Sequence, residues 1–257
     1  MKLKASLILF LALQSASIFA CLNGDTKYLK NGFILYMDHE GRIPLGHRFP
    51  GRTALLSAKH DLDSLYKTTK DIDFLSDEAL VMILLKDYKN AIKIYEQIEK
   101  RKPGRYSTAS NMGTAYELDG DNENALKWIK RSVEIDEDSH ENSEWIHVKI
   151  LEAKLKGVSA INSDFLLNTN FGEAELPRTT MKKDQVLKLA AALYYQLNER
   201  VSFIKGKDQI IAQLLFDLGN VLYLGAFVSD AKQVYNLAGE YGYNKPLLAK
   251  RIAACTK

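Results

Sequence analysis

The chain has 257 residues, 46% of them hydrophobic and 26% charged, so it can bury a core of its own and is not compositionally disordered. Its 35 lysine and arginine residues nearly balance its 32 aspartate and glutamate residues, and no long acidic or basic block occurs. Charge therefore gives no indication of a nucleic-acid partner.

The first twenty residues have the features of a signal peptide. A basic start with Lys2 and Lys4 precedes an apolar run over residues 7–13, and small residues follow at 15–20. The apolar run is too short to cross the roughly 30 Å hydrocarbon core of a membrane. We therefore predict that residues 1–20 are a signal peptide and that the protein is exported to the periplasm, the outer membrane or the medium.

Cys21 lies directly after the predicted cleavage point and has two alternative fates. Residues 18–21, Ile-Phe-Ala-Cys, resemble a bacterial lipobox, which implies a lipid on Cys21 and a membrane anchor, although Phe19 stands where that motif prefers a small residue. Ordinary cleavage would instead leave a thiol that could form a disulfide with Cys255, the only other cysteine. A lipid would exclude the disulfide. Both alternatives stay open, as does a pair of unrelated thiols.

Residues 21–52 are predicted to form a non-helical extension. An Asn31-Gly32 pair separates two short apolar and aromatic runs between Tyr28 and Tyr36, and both residues of the pair tolerate the positive φ of a tight hairpin turn. Glycine and proline then recur over residues 41–51. We expect a small β-hairpin followed by a segment rich in loops.

Helical spacing begins at Thr53 and continues towards the end of the chain. We predict a first helix after Thr53, with Ser76 as the N-cap of the second helix. Three more helices are expected outside the repeats described next, at residues 143–156, 181–203 and 246–254. Residues 157–180 are rich in Asn and Ser and are predicted to form a long loop.

A 34-residue period organises the helical part. Ala91 and Ala125 are 34 residues apart, and Gly113 and Gly219 each lie twelve residues before an alanine, Ala125 or Ala231. Small residues at these positions allow two antiparallel helices to approach closely, while large apolar residues one turn away fill the space between helices. One such pair cannot bury its apolar face alone, so the pairs are expected to stack.

This pattern resembles the tetratricopeptide-repeat (TPR) family, whose repeats are pairs of antiparallel helices. The resemblance assigns clear repeats to residues 72–105, 106–139 and 212–245. It implies an all-α fold, a TPR-type α-solenoid over residues 53–257, with the small β-hairpin extension at its N-terminus. The sequence departs from the family pattern at Glu137 and Tyr243, where the family favours proline.

No catalytic or cofactor motif occurs in the sequence. It has no glycine-rich phosphate loop, no nucleophile elbow, no His-Glu-x-x-His and no Cys-x-x-Cys. Asp38, His39 and Glu40 are the densest group of potential metal ligands, but adjacent residues of an extended segment point to opposite faces and cannot all reach one ion. His147 lies near Trp145 on a predicted helix, where we expect a packed or half-exposed histidine and not a ligand. We therefore expect no catalysis, no cofactor and no metal.

The family resemblance implies a binding groove lined by the first helices of the repeats. The candidate residues, four from the second repeat and three from the third, are Ser110, Asn111, Thr114, Glu117, Phe216, Asn220 and Tyr223. None is a lysine or arginine, with which TPRs typically grip a C-terminal carboxylate. A partner peptide is then expected to be held by aromatic and amide contacts. In the alternative, Phe216 and Tyr223 simply pack between helices.

These features favour an exported scaffold that binds a protein or peptide partner in the bacterial cell envelope. Two alternatives stay open: a structural envelope lipoprotein, and an envelope enzyme subunit whose site is formed by the N-terminal extension. An open groove with aromatic walls would favour peptide binding. A cleft lined by close histidine and acidic groups would favour an enzyme.

Overall fold

The structure, a computed structural model, describes residues 26–38, 41–138 and 142–256. Its elements are β1 (Thr26–Tyr28), β2 (Ile34–Met37), α1 (Arg52–Thr69), α2 (Ile72–Leu84), α3 (Tyr88–Arg101), α4 (Tyr106–Asp119), α5 (Asn122–Ile135), α6 (Glu144–Lys156), a 3-10 helix (Val158–Ala160), α7 (Ser163–Leu167), α8 (Lys183–Phe203), α9 (Gln209–Leu224), α10 (Val228–Glu240) and α11 (Leu247–Ala254). The predicted all-α architecture of antiparallel helix pairs with a small N-terminal hairpin is confirmed. None of the helices in these residues is long and apolar enough to span a membrane.

Strands β1 and β2 form the hairpin and pack on the first helices. Gly32, the second residue of the Asn-Gly pair, takes the positive φ of +85° that its turn position requires. Leu35 and Tyr36 of β2 are buried with Leu62 of α1 and Leu80 of α2. The hairpin therefore contributes to the core instead of projecting from the helical array.

The rest of the N-terminal extension lies against α8. The Gly46 amide donates to Asn198 Oδ1 at 2.8 Å, and the His47 amide donates to Ser202 Oγ at 2.7 Å. His47 Nδ1 also lies 2.5 Å from Asp38 Oδ2, so the histidine ring ties two parts of the extension together. The contacts with α8 join segments more than 150 residues apart in the chain.

Helix α2 starts earlier than predicted. Lys70 has a left-handed φ of 58° and ends α1, and Asp71 then caps α2 by accepting from the Asp73 amide at 3.0 Å. Ser76, the predicted N-cap, lies inside α2 and is buried. Both Asp and Ser are good caps. The sharp turn at Lys70 reverses the chain directly before Asp71, so Asp71 is the residue that starts the helix.

Three helix pairs follow the repeat pattern: α2 with α3, α4 with α5, and α9 with α10. A Cβ atom added at Gly113 would lie 2.5 Å from Ile129 Cδ1, and one added at Gly219 would lie 2.5 Å from the Tyr235 ring. The alanines of the second helices are also fully buried, at Ala91, Ala125 and Ala231. Small residues therefore set the distance between the paired helices, as the period predicted.

Helices α6, α7 and α8 separate the second repeat pair from the third. Helix α6 packs on α5, and α8 packs on both α6 and α9. The segment predicted as a loop at 157–180 is partly helical, because the 3-10 helix and α7 occupy most of residues 158–167. Asn162 starts α7 by accepting from the Phe165 amide at 2.9 Å. Residues 168–182 remain irregular.

Candidate functional site

The second-repeat candidates for the groove lie on α4 and are buried. Ser110, Asn111, Thr114 and Glu117 are each 9% exposed or less. Glu117 and Ser110 bond to residues of α6, and Glu117 also bonds to α8. The chain itself therefore covers this part of the predicted groove.

Glu117 is the centre of a buried ionic cluster. Its Oε1 accepts from Lys154 Nζ at 2.6 Å and from Arg200 Nη1 at 2.8 Å, and its Oε2 accepts from His147 Nε2 at 2.7 Å. Burial by itself raises the pKa of the Glu117 carboxyl, but the charges of Arg200 and His147 outweigh it and lower the pKa well below its usual range. His147 is buried and not half-exposed.

A second set of buried polar groups joins the same helices. Ser110 Oγ and Ser132 Oγ donate to Glu144 Oε1 at 3.3 and 3.2 Å, and Gln196 Nε2 donates to Ser143 Oγ at 3.1 Å. The cavity beside Glu117 measures only about 20 Å³, which is room for one water molecule. This region is a structural junction of α4, α6 and α8, and the cavity between its described residues is too small for a ligand larger than water.

The third repeat carries an open cleft of about 340 Å³, named the C-terminal cleft. Its lining residues come from α7, α9, α11 and two connecting segments; they are Asn162, Ser163, Asp164, Asn170, Phe171, Gly172, Glu173, Gln213, Phe216, Asn220, Tyr243, Lys245 and Leu247. Two of the predicted groove residues, Phe216 and Asn220, lie in this cleft. The third, Tyr223, packs on the hydrophobic core and does not line the cleft.

Helical spacing on α9 directs three side chains into the C-terminal cleft. Gln213, Phe216 and Asn220 are three and four residues apart, which places them on one face of the helix. The Phe216 ring stacks on Tyr243 with ring centroids 4.2 Å apart and planes 9° from parallel. Both rings are nearly fully buried, so they give the cleft a rigid apolar base.

Asp217 lies directly beneath the polar lining of the cleft. Its Oδ1 accepts from Ser163 Oγ at 2.7 Å and from Asn220 Nδ2 at 3.5 Å, and its Oδ2 accepts from Gln213 Nε2 at 3.1 Å. All three donors are neutral. Because the side chain is fully buried, burial raises the pKa of Asp217 to about 7, even though these hydrogen bonds favour the charged form.

Replacing Asp217 by asparagine should therefore change how stability depends on pH. Because the folded-state pKa of Asp217 is raised, its ionisation does not affect the stability of the protein near pH 3.8, the ordinary pKa of the group. As the pH rises from there to about 7, the ionisation lowers the stability progressively. Relative to the wild type, Asp217→Asn should gain stability between about pH 5 and about pH 8 in urea unfolding. The exposed rim residue Asp164, changed to Asn, is the control. An Asp217→Asn difference that is equal at both pH values would contradict the assignment.

A buried arginine holds the opposite wall of the C-terminal cleft. Arg251 is 0% exposed, and its Nη2 donates to the carbonyls of Phe171 and Gly172 at 3.1 and 2.7 Å. The Arg178 amide closes the same segment by donating to the Phe171 carbonyl at 3.0 Å. The irregular segment 168–182 is thus anchored to α11.

Loss of the Arg251 anchor should expose segment 168–182 to proteases. Arg251→Met keeps the length and apolar stem of the side chain but removes both carbonyl contacts, so the segment should open more often. We expect tryptic cleavage after the exposed Arg178 to become several-fold faster, measured by mass spectrometry under native conditions. Lys250→Met, an exposed neighbour on α11, is the control. Equal cleavage rates for the two variants would show that Arg251 does not restrain the segment.

Sequence reasoning missed much of the C-terminal cleft. Ser163, Tyr243 and Lys245 come from segments that lie beside α9 only in the folded chain. Gln213 and Asp217 did carry a signal, because with Asn220 they form a polar row in a helix that is otherwise almost entirely apolar. Three polar residues at helical spacing on a buried helix indicate a shared hydrogen-bond network.

The other sequence-predicted positions form no group of metal ligands among the described residues, although Asp38 lines a separate cleft of about 450 Å³ between the N-terminal extension and α8. No three His, Cys, Asp or Glu side chains of residues 26–38, 41–138 and 142–256 group as metal ligands. Asp38 pairs with His47, while His39 and Glu40 lie outside the described residues. Cys255 is a half-buried thiol at the end of α11, and its candidate partner Cys21 lies outside the described part of the chain.

Comparison with known proteins gives limited similarity. A family described only as a domain of unknown function, DUF6340, matches residues 77–154, which is less than half of the chain. No curated protein matches. Structural similarity at identities of 16% or less and TM-scores of 0.42 or less carries no inference about function.

The solved structures to which the chain is similar include three bacterial proteins. TTC0263, a TPR protein of Thermus thermophilus, is 13% identical over 79% of this chain and 91% of that chain, with a TM-score of 0.40. PilF of Pseudomonas aeruginosa is 16% identical over 79% and 82%, with a TM-score of 0.42. A tetratricopeptide repeat protein of Parabacteroides merdae is 13% identical over 80% and 79%, with a TM-score of 0.33.

Proposed function

We propose that the protein is a non-catalytic scaffold that binds a peptide segment of a protein partner in the C-terminal cleft. The supporting observation is the cleft itself: about 340 Å³ of open space on the first helix of a repeat pair, lined by amide side chains and a stacked aromatic pair. Ligand sites in proteins typically measure roughly 300–1,000 Å³. The cleft is therefore large enough for a few residues of an extended peptide.

The lining of the cleft suits a peptide ligand. Asn162, Asn170, Gln213 and Asn220 all contribute side-chain amides. An amide oxygen has two lone pairs, so it can accept from the backbone N–H groups of a ligand even where it already has one partner. Rings that are fixed by stacking lose little conformational freedom when a ligand binds, which favours affinity.

The second repeat pair supports no competing site within the described residues. Helix α8 brings Arg200 onto Glu117, and α6 brings His147 onto the same carboxylate. A peptide on α4 would have to displace both helices and leave a buried carboxylate without its cations, at a cost of several kcal/mol. The third repeat pair is consequently the binding element of this proposal.

The binding test uses peptides selected from a random library against the purified full chain. Asn170→Trp places an indole inside the cleft, and Gln97→Trp places one on the exposed face of α3. We expect the selected peptides to bind the wild type and Gln97→Trp equally and to bind Asn170→Trp at least roughly tenfold more weakly. Failure to select any peptide, or equal binding to all three proteins, would overturn the proposal.

The cellular location is a further part of the proposal. Residues 1–20 support export, with Cys21 either lipidated in the cell envelope or paired with Cys255. Intact mass of the natively produced protein, with and without reductant, separates the cases. A chain that starts at Cys21 and carries acyl groups indicates a lipoprotein, a lipid-free chain whose thiols react only after reduction indicates the disulfide, and an unprocessed chain would overturn export.

A further inference from the structure

The side-chain amide of Gln213 in the C-terminal cleft directs its donors into the protein. Gln213 Nε2 donates to Asp217 Oδ2 at 3.1 Å and to Ser163 Oγ at 3.3 Å. The other end of the same amide, Oε1, accepts from Lys245 Nζ at 3.4 Å. Since both bonds of the nitrogen run towards Asp217 and Ser163, Gln213 presents an acceptor on the side where Lys245 stands.

Ser163 and Asn170, two more polar side chains of the cleft, also donate to neighbouring carboxyl groups. Ser163 Oγ gives its single proton to Asp217 Oδ1 at 2.7 Å. Asn170 Nδ2 donates to Asp164 Oδ1 at 3.0 Å. Asp217 and Asp164 thus accept the hydrogen bonds that these two side chains donate. The remaining hydrogen-bonding capacity of these side chains is mostly that of acceptors, which calls for a ligand rich in donors.

Two rim carboxylates of the cleft match this polarity. Asp164 and Glu173 are exposed at its rim. Lys245 is the one cation among the described residues that line it, and the buried Arg251 behind its wall already donates to the carbonyls of Phe171 and Gly172. Carboxylates around a partly enclosed space attract cations, and the attraction is stronger there than on an open surface because less water screens it.

Lys245 shows where a cation fits. Its ammonium group bonds to Gln213 Oε1 and lies 5.4 Å from the centre of the Tyr243 ring, within the range of a cation–π contact. The residue is exposed and sits between α10 and α11. A flexible surface lysine held by one long hydrogen bond is readily displaced.

We infer that the C-terminal cleft selects a cationic side chain, the guanidinium of arginine or the ammonium of lysine, which takes the place of the Lys245 ammonium. The inference rests on the proposed peptide-binding function and adds the chemistry of the anchoring residue. Arginine has five N–H donors in a planar fork and satisfies several acceptors at once, so arginine is the preferred anchor.

The test compares two probes of equal shape and different charge. N-acetylarginine methylamide and N-acetylcitrulline methylamide are titrated into the isotope-labelled full chain, and the side-chain amide signals of Gln213 and Asn170 are followed by NMR. We expect arginine to shift these signals with an affinity at least roughly tenfold higher than that of citrulline, because its hydrogen bonds are charge-assisted. Equal affinity, or arginine shifts confined to other surfaces, would overturn the inference.

A variant of Lys245 makes the test specific to the cleft. Lys245→Met removes the competing ammonium while keeping the apolar stem, and arginine should then bind several-fold more tightly. Lys250→Met removes the same charge from the exposed part of α11, away from the cleft lining, and should leave the affinity nearly unchanged. Tightening by the same factor in both variants would indicate only a general charge effect and would overturn displacement of Lys245.

The library experiment separates this inference from the proposed function. Selected peptides that bind the cleft through arginine or lysine support both. Neutral or acidic peptides that bind the wild type and fail on Asn170→Trp uphold the scaffold and overturn the cationic anchor. Absence of any cleft-binding peptide overturns both.

Discussion

Replacing Glu117 by glutamine is expected to lower the free energy of unfolding by about 3–5 kcal/mol at neutral pH. The substitution keeps the shape of the side chain but removes the charge that compensates Arg200 and Lys154 and that accepts the His147 hydrogen bond. Arg200 and His147 are themselves buried, so their polar groups cannot recover water when the carboxylate is lost. An uncompensated buried cation is among the most costly defects that one substitution creates.

Urea unfolding at several pH values measures this effect, with Glu152→Gln as the control. Glu152 pairs with Lys130 near the surface, where an ion pair contributes at most about 1 kcal/mol. Because the folded-state pKa of Glu117 lies below its ordinary value of 4.5, its contribution is fully present above that pH and disappears as the pH falls through the lower folded value. The difference between wild type and Glu117→Gln should shrink accordingly in acid. Equal losses for the two variants at neutral pH would contradict the role of Glu117.

Gly219→Ala is expected to cost about 1–3 kcal/mol, although alanine is the better helix former by about 1 kcal/mol. The new methyl group would lie 2.5 Å from two atoms of the Tyr235 ring, well inside contact distance. The ring is fully buried, and its hydroxyl donates to Asn220 Oδ1 at 2.9 Å, so it cannot move aside without losing that bond. Helices α9 and α10 would therefore have to separate.

Gly239→Ala in α10 is the matched control. Its new methyl group would meet only the terminal Cδ2 of Leu248 at 3.3 Å, and a flexible leucine can yield, so stability should stay constant or rise. Thermal and urea unfolding of both variants give the comparison. In a Tyr235→Leu background, Gly219→Ala should cost less, because the obstructing ring is gone. A cost that is unchanged in that background would show that Tyr235 is not what Gly219 accommodates.

Local signals in the sequence predicted the hairpin and the helix pairs. Gly32 supplies a backbone conformation that other residues rarely adopt, and Gly113 and Gly219 supply room that any side chain would fill. These requirements are properties of single positions or of a fixed spacing. The N-cap of α2 was misplaced because Asp71 and Ser76 are both suitable caps, and the left-handed turn that decides between them has no glycine.

The candidate site was only half predictable for a different reason. The repeat register places Phe216 and Asn220 on the inner face of α9, so they could be found by spacing alone. Ser163 and Lys245 reach the same cleft from positions 50 and 32 residues away from Gln213. The closure of the second-repeat groove likewise depends on Arg200, 83 residues after Glu117. Such long-range contacts depend on how whole helices pack, which no local sequence pattern specifies.

The contact between Glu117 and Arg200 also affects how cooperatively this helical array should unfold. In a repeat protein whose units touch only their neighbours, unfolding can start at one end and proceed unit by unit. Here a bond that spans 83 residues clamps the second pair to α8, and the extension reaches α8 from the other side at Asn198 and Ser202. Fraying from the N-terminal end therefore has to break contacts with this central helix. The molecule should melt as one cooperative body, and its long-range closure should make it fold more slowly than a simple stack of helix pairs of equal length.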